Sequence, residues 1–360
     1  MNTLNEISVS VPGRICLFGE HQDYLNLPVI AAAINRRITV TAKKRNDTIM
    51  HYELPDIQEE DSFSLSKNVE YIKERDYLRS VVNVVQRYGY KINQGADFMV
   101  TGTIPINSGT SSSTALVVSL IDIIIRMNEH NTQVDPAEIA RLAHLAEVVE
   151  FGEPGGMMDH YSTAFGGVIF LSLYPELKLE QLYPDLGSFV LGDSGEPKNT
   201  MDILKKVKTS IEKSVLQLSH LYSNFSLQTV TSEEIDHFKK ELGKDKINML
   251  KATIKNRDIT REAKKICTAK SLDHKKFGEL LYKHHMILSK ELHISTSKID
   301  RMIEASLKAG AYGAKINGSG GGGCMFAYAP DNTDHVAEAI EKEGGKCYII
   351  NVDGGLRVEG

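Results

Sequence analysis

Over the first hundred residues the apolar positions come in short runs. Ile7 to Val11 and Ile38 to Lys43 are β-branched or alternating stretches separated by Gly, Pro and Asn, a pattern that predicts strands and a sheet-dominated N-terminal third. From Tyr77 to Tyr88 the spacing changes: Leu78, Val81, Val82, Val84 and Val85 recur on one helical face, and Asp97 to Thr101 then returns to a strand pattern. Thr114 to Met127 is an apolar run of helical length. Asp135, Pro136 and Glu138 supply an N-cap, a proline at the first helical position and an acid three residues after the cap, so a helix is predicted from Asp135 to Phe151, ending near Gly152.

A second mixed region opens near Phe189. Long polar helices are predicted between Met201 and Leu242 and between Ile247 and Leu292, then an apolar-periodic helix from Lys298 to Ala309. Strand-like pieces at Lys315 to Ile316, Cys324 to Tyr328 and Cys347 to Val352 follow, with Gly-rich loops between them. The expected division is residues 1–190 and 191–360, and no internal repeat or low-complexity tract interrupts it.

Charge narrows the partners. Forty-two Lys and Arg against 47 Asp and Glu give a formal charge of −5, which offers no electrostatic footprint for nucleic acid or an anionic membrane, so a small-molecule role is favoured. The 14 residues from Thr114 to Met127 carry Asp122 and Arg126 and fall short of the roughly 20 needed to span a bilayer. MNTLNEISVSVPG has neither a basic start before an apolar run nor a lipidation motif. Cys16, Cys267, Cys324 and Cys347 show no CxxC spacing, so reduced thiols in a cytoplasmic protein are expected.

Four segments carry candidate chemistry. In PINSGTSSSTA, Ser108, Gly109, Thr110, Ser111, Ser112 and Ser113 precede an apolar helix; small residues let the backbone approach an anion, and the helix turns its positive end toward it. No Lys follows the glycine, so this is not the usual P-loop, and alone it suits an ordinary capped helix equally well. GRICLFGEHQDY packs Arg14, Glu20, His21 and Asp23 around a tight turn; such a set suits several hydroxyls of a polyol, or a solvated turn. Between Gly313 and Phe326 every residue from 318 to 323 except Ser319 is glycine, which implies close backbone approach. Glu147 and EPGGMMDH, with Gly156 and Asp159, place two acids about a Gly-Pro turn, as phosphoryl transfer can use them, although Glu147 alone reads as a surface helix acid.

Together and in this order, the segments from Pro12 to Phe326 resemble the three signature motifs of the GHMP superfamily of galacto-, homoserine, mevalonate and phosphomevalonate kinases, most closely its galactokinase-like sugar 1-kinases. The regions Phe277-Gly-Glu-Leu-Leu, His285 and Ala309 to Lys315 are also similar to the galactokinase C-terminal half. The resemblance implies an α/β (α+β) fold with an N-terminal ribosomal-protein-S5-like half, a C-terminal ferredoxin-like half and the site between them. It implies ATP and Mg²⁺, with Asp159 as the base for an anomeric hydroxyl and Arg14 as its cationic partner. Glu20, His21, Asp23 and Gly156 would hold the sugar, Ser108 to Ser113 the phosphates, Ser113 and Glu147 the metal; Gly318, Gly320 and Gly321 would support the phosphate loop. A monomer or homodimer is expected.

Two departures belong to the same comparison. Cys16 stands where galactokinases usually carry Asn, and the turn at Asp193, Ser194 and Gly195 resembles that of mevalonate kinases and some other sugar kinases rather than that of galactokinases. The alternatives are therefore a mevalonate kinase and a non-catalytic sugar sensor on the same fold; Asp159 and Arg14 weigh against the sensor, which needs neither a base nor a transition-state cation.

Overall fold

The computed structural model describes residues 6–106, 108–128, 134–197 and 200–359. Asn107 of the phosphate-loop candidate, and Lys198 and Asn199 beyond the Asp193 turn, lie outside them. In chain order the elements are β1 (Glu6–Phe18), β2 (Val29–Lys44), β3 (Ile49–Leu54), β4 (Glu59–Ser64), α1 (Tyr77–Arg87), β5 (Ala96–Gly102), α2 (Ser112–Asn128), α3 (Pro136–His144), α4 (Met158–Phe165), β6 (Val168–Ser172), β7 (Lys178–Leu182) and β8 (Phe189–Asp193). Then come α5 (Thr200–Leu221), the single turn α6 (Lys239–Leu242), α7 (Lys244–Cys267), α8 (His274–Met286), α9 (Ser297–Lys308), β9 (Gly313–Ile316), β10 (Cys324–Tyr328), α10 (Thr333–Lys342), β11 (Lys346–Ile350) and β12 (Arg357–Glu359).

Two sheets organise the chain. The first runs β12-β1-β2-β5-β3-β4, with β6 also on β2 and β7 on β6, and every pairing is antiparallel except β3 with β5. The second is antiparallel in the order β11-β8-β10-β9. Numbered along its own segment this is 4-1-3-2, with helices after its first and third strands, as a ferredoxin-like half requires.

Three apolar clusters fix these layers. Val9 and Val40 of the first sheet pack with Val81 of α1 and Val117 and Ile121 of α2, and the second sheet buries Val190 and Ala314 against Ile299 and Ile340. A third cluster joins the halves: Ile15, Leu17 and Phe18 of β1 meet Phe277, Phe326 and Tyr328, with the Phe18 and Phe277 rings 5.4 Å apart edge to face. The cleft above β1 is thus held by packing from both sides.

The expected elements differ in extent. β1 and β2 run well beyond the apolar stretches that announced them. The Asp135 carboxylate caps α3 by accepting from Ala137 N at 2.9 Å, but Glu138 pairs with Arg141, and the helix widens into a π turn over Leu145–Val149. The helical region expected between Ile247 and Leu292 resolves into α7, which stops at Cys267, and α8, which Asp273 starts by accepting from Lys276 N at 2.9 Å. Between Met201 and Leu242 the long helix α5 ends at Leu221, and only the single turn α6 follows it among the α-helices there.

Candidate active site

β1 delivers Arg14 to the floor of a cavity of about 250 Å³, where its side chain is buried. Its Nε and Nη2 donate to Asp159 Oδ1 and Oδ2, both at 2.7 Å, a two-point grip that fixes the carboxylate plane. Asp159 sits in the first turn of α4 and also accepts from Ser111 Oγ at 2.7 Å. Burial pushes the Asp159 carboxyl up, but the Arg14 guanidinium outweighs it by charge and hydrogen bonds, and the Ser111 hydroxyl adds to that, so Asp159 is held below its ordinary value. Arg14 is held above its own by the same partner against burial.

The phosphate-loop candidate has its carbonyls turned inward. Ser108 O accepts from Cys324 N at 2.8 Å, Thr110 O from Arg14 N at 3.1 Å, and Gly109 O from both Arg14 Nη1 at 2.5 Å and Asn317 Nδ2 at 2.9 Å. Oxygens that would repel an anion are thereby tied into the protein, while Gly109 and Ser111 to Thr114 line the cavity at the N-terminus of the 17-residue α2. Ser108 and Thr110 are buried beneath it, joined by a 2.7 Å hydroxyl contact.

The turn after β1 supplies three expected residues with different surroundings. Asp23 lines the cavity, its carboxylate accepting from Met158 N and Tyr24 N at 3.0 Å. Burial raises its pKa; the Met158 N–H works against this and the neighbouring Asp159 charge adds to it. His21 is held at both ring nitrogens, Nδ1 with Tyr24 Oη at 2.9 Å and Nε2 with Ser319 O at 3.0 Å. Glu20 borders the same cavity, yet its carboxylate is occupied by the Lys315 ammonium and the Gly318 N–H. Glu20 therefore joins β1 to the last glycine loop, and its reach toward a ligand is spent within the protein.

Lys315 and Asn317, which no motif in the sequence assigns to the site, stand directly behind it. Lys315 is fully buried in β9, donating to Cys16 O at 2.8 Å as well as to Glu20, and Asn317 Oδ1 accepts from Cys16 N at 2.9 Å. The available signal was a lysine inside an otherwise apolar strand pattern, a charge that burial tolerates only when paired. At Cys16 it is thus the backbone that is used; its thiol contacts Phe18 O at 3.4 Å.

Gly318 lines the cavity, whereas Gly320 and Gly321 pack against the Ile294 segment. A β-carbon on Gly320, at φ +86°, would stand 2.3 Å from Ile294 O, and Gly321 N donates to that oxygen at 2.8 Å. Gly156 lines the cavity opposite Asp23. Ser113 and Glu147 face it from α2 and the π turn, with Arg75, Tyr77 and Glu153 on the same wall; Arg75 Nη2 donates to Glu153 Oε2 at 2.9 Å. Glu147 and Ser113 thus bring a carboxylate and a serine hydroxyl to one cavity lining, although Glu147 Oε2 itself is buried, without a hydrogen bond and 3.0 Å from His160 Nε2. That donor set fits Mg²⁺, which takes one or two protein oxygens and completes its shell with phosphate and water.

A helix N-terminus and a guanidinium-held carboxylate on one cavity are parts that phosphoryl transfer can use. Comparison with known proteins gives the family. The GHMP kinases N terminal domain matches residues 76–167, GHMP kinases C terminal matches 264–346, and the galactokinase galactose-binding signature matches 2–44. The chain is 30% identical to the mevalonate kinase of Pyrococcus horikoshii over 98% of both chains. It is 29% identical to the galactokinase of Haemophilus influenzae over 99% of this chain and 95% of that one. Lactococcus lactis galactokinase complexed with galactose superposes with a TM-score of 0.88 at 24% identity, covering 99% of this chain and 96% of that one. The chain belongs to the GHMP kinase family and has its two-domain α/β fold. No helix among the described residues is long and apolar enough to cross a membrane.

Proposed function

We propose that this GHMP kinase transfers the γ-phosphoryl group of ATP to the anomeric hydroxyl of a monosaccharide. The observation that carries the reading is the Asp159 carboxylate, gripped by Arg14 and facing the same cavity as Asp23 and the start of α2. Asp159 accepts the proton of the attacking hydroxyl. Its low pKa is no obstacle, because in a loose phosphoryl-transfer transition state the nucleophile gives up its proton late, when it is most acidic. Arg14 keeps Asp159 ionised and places positive charge beside the moving group. The N–H groups at the start of α2 and the hydroxyls of Ser111 to Ser113 receive the phosphates, and Asp23 accepts from sugar hydroxyls. Ser113 and Glu147 would hold Mg²⁺, which neutralises charge on the phosphate oxygens when bound.

Residues 1–190 and 191–360 approximate the two halves in this reading, with β8 straddling the boundary and β12 returning to the first sheet, and the nucleotide and sugar are held largely by the first half. A second reading, phosphorylation of mevalonate, is favoured by the 30% identity to the Pyrococcus horikoshii enzyme. Asp23 argues for a neutral polyol, since Arg14 is committed to Asp159 and a carboxylate-bearing acceptor would meet Asp23 directly.

The deciding experiment is ADP release with MgATP over galactose, arabinose, fucose, mannose, galacturonate, glucuronate, N-acetylated hexosamines and mevalonate, with Asp159→Asn as the blank. Turnover of one sugar, with phosphate at its anomeric carbon, is expected. Turnover of mevalonate alone would establish the second reading, and nucleotide binding with no turnover on any acceptor would refute the sugar-kinase reading across this panel.

A further inference from the structure

His160, the residue after Asp159, has no role in the mechanism above, yet its ring borders the cavity and is only 2% exposed. Its Nε2 stands 3.0 Å from Glu147 Oε2, but the two are misaligned for a hydrogen bond, and both atoms, with His160 Nδ1, are buried without a hydrogen-bond partner. Leaving buried polar atoms unsatisfied is costly, and proteins seldom tolerate it away from functional sites. The ring is held by packing instead: His144 lies edge to face with it, centroids 5.2 Å apart.

A separation of 3.0 Å has a direct meaning in coordination geometry. Two neighbouring ligands of an octahedral ion, each at about 2.1 Å, stand about 3.0 Å apart. Glu147 lies in the π turn, and His160 in the first turns of α4, so two separate elements bring one oxygen and one imidazole nitrogen to that spacing. Resting on the reading of Glu147 as a metal-facing group, we propose that His160 Nε2 and Glu147 Oε2 together bind the nucleotide-associated divalent ion, and that the site prefers a first-row transition ion such as Mn²⁺ to Mg²⁺. Carboxylate, hydroxyl and phosphate oxygens suit both ions, whereas an imidazole favours the transition ion. Ser113 on α2 borders the same cavity, and the remaining positions belong to phosphate and water.

The test uses the whole chain with Mn²⁺ and a non-hydrolysable ATP analogue, prepared with ¹⁵N-labelled histidine and with unlabelled histidine, and examined by pulsed electron paramagnetic resonance. The expected result is nucleotide-dependent Mn²⁺ binding with a coupling that changes with the histidine isotope, which separates imidazole from adenine nitrogen. That coupling should vanish in His160→Gln and in Glu147→Gln. In His160→Gln, Mn²⁺ affinity should fall by at least about tenfold, the lower end of what losing even an outer-shell partner costs, while Mg²⁺ affinity falls less. Bound Mn²⁺ without isotope-dependent coupling, or coupling that survives in His160→Gln, would overturn the proposal and leave the Ser113 and Glu147 reading standing. Absence of nucleotide-dependent Mn²⁺ binding would overturn both. If His160→Gln fails to fold, labelled wild type and Glu147→Gln still decide.

Discussion

Asp23 and Gly156 compete for one volume: a β-carbon on residue 156 would stand 1.9 Å from Asp23 Oδ2. The carboxylate reaches its two backbone donors only because the opposite wall has no side chain there.

Gly156→Ala should therefore act as a sugar-site mutation, displacing Asp23 and raising the acceptor KM with little effect on nucleotide affinity. Asp23→Ala should raise the same KM, because it removes a hydroxyl acceptor and no phosphate contact. The double variant should be no worse than Asp23→Ala alone, since the truncated side chain no longer meets the added methyl. Steady-state kinetics on the four proteins checks this, and additive losses would refute the shared volume.

Asp159→Asn should reduce kcat by roughly 10²–10⁴, the range for losing a positioned base, while acceptor and nucleotide affinities stay within about tenfold. Calorimetric titration of each ligand separates this outcome from a collapsed pocket, in which binding would fall as far as turnover.

Glu20 and Lys315 form an ion pair between the turn after β1 and β9 with neither side chain open to water. Glu20→Gln leaves a buried ammonium without its countercharge and should cost about 3–5 kcal/mol of stability, whereas replacing both residues with apolar ones of similar size should recover much of it. Chemical denaturation of the single and double variants measures the difference. A single variant as stable as wild type would mean that water reaches Lys315.

Asp23 and Asp159 impose opposite pH dependences. The depressed Asp159 contributes stability that is complete above its unfolded pKa and is lost as pH falls through its folded value. Asp23, with its folded pKa raised, carries a cost when ionised that disappears as pH falls through that raised value. Asp23→Asn should accordingly raise the melting temperature near neutral pH, and the gain should shrink on acidification. Thermal unfolding between pH 7 and pH 4 tests it; a gain independent of pH would exclude the charge as its source.

Legibility in the sequence followed the range of the interactions. α1 was readable because one face carries its valines and leucine, and α3 because Asp135 and Pro136 are local cap signals. The break between α7 and α8 had a weak local cue, Ser271 and Asp273, which the surrounding helical pattern obscured. The π turn had none: Ala146 within it packs into the core of the first sheet, a long-range contact that no local pattern announces. In the candidate site, motif spacing pointed to Arg14, Asp23 and Asp159, but the partner of Glu20 lies 295 residues away in sequence, and no local pattern identifies it.

The edge of the first sheet is finished by residues made long after the strand they pair with. Ser8, Val9 and Ser10 pair with Glu359, Val358 and Arg357, and Arg37 of β2 reaches the same returning segment through Asp353. At roughly 5–20 residues per second of synthesis, the ladder groups that β12 satisfies wait on the order of tens of seconds for their partners. Once β7 has been made, the nascent chain presents a bare strand edge on a sheet that lacks only β12, the kind of surface on which chains aggregate. A protein built this way depends during translation on whatever shields that edge, a demand that the finished fold no longer shows.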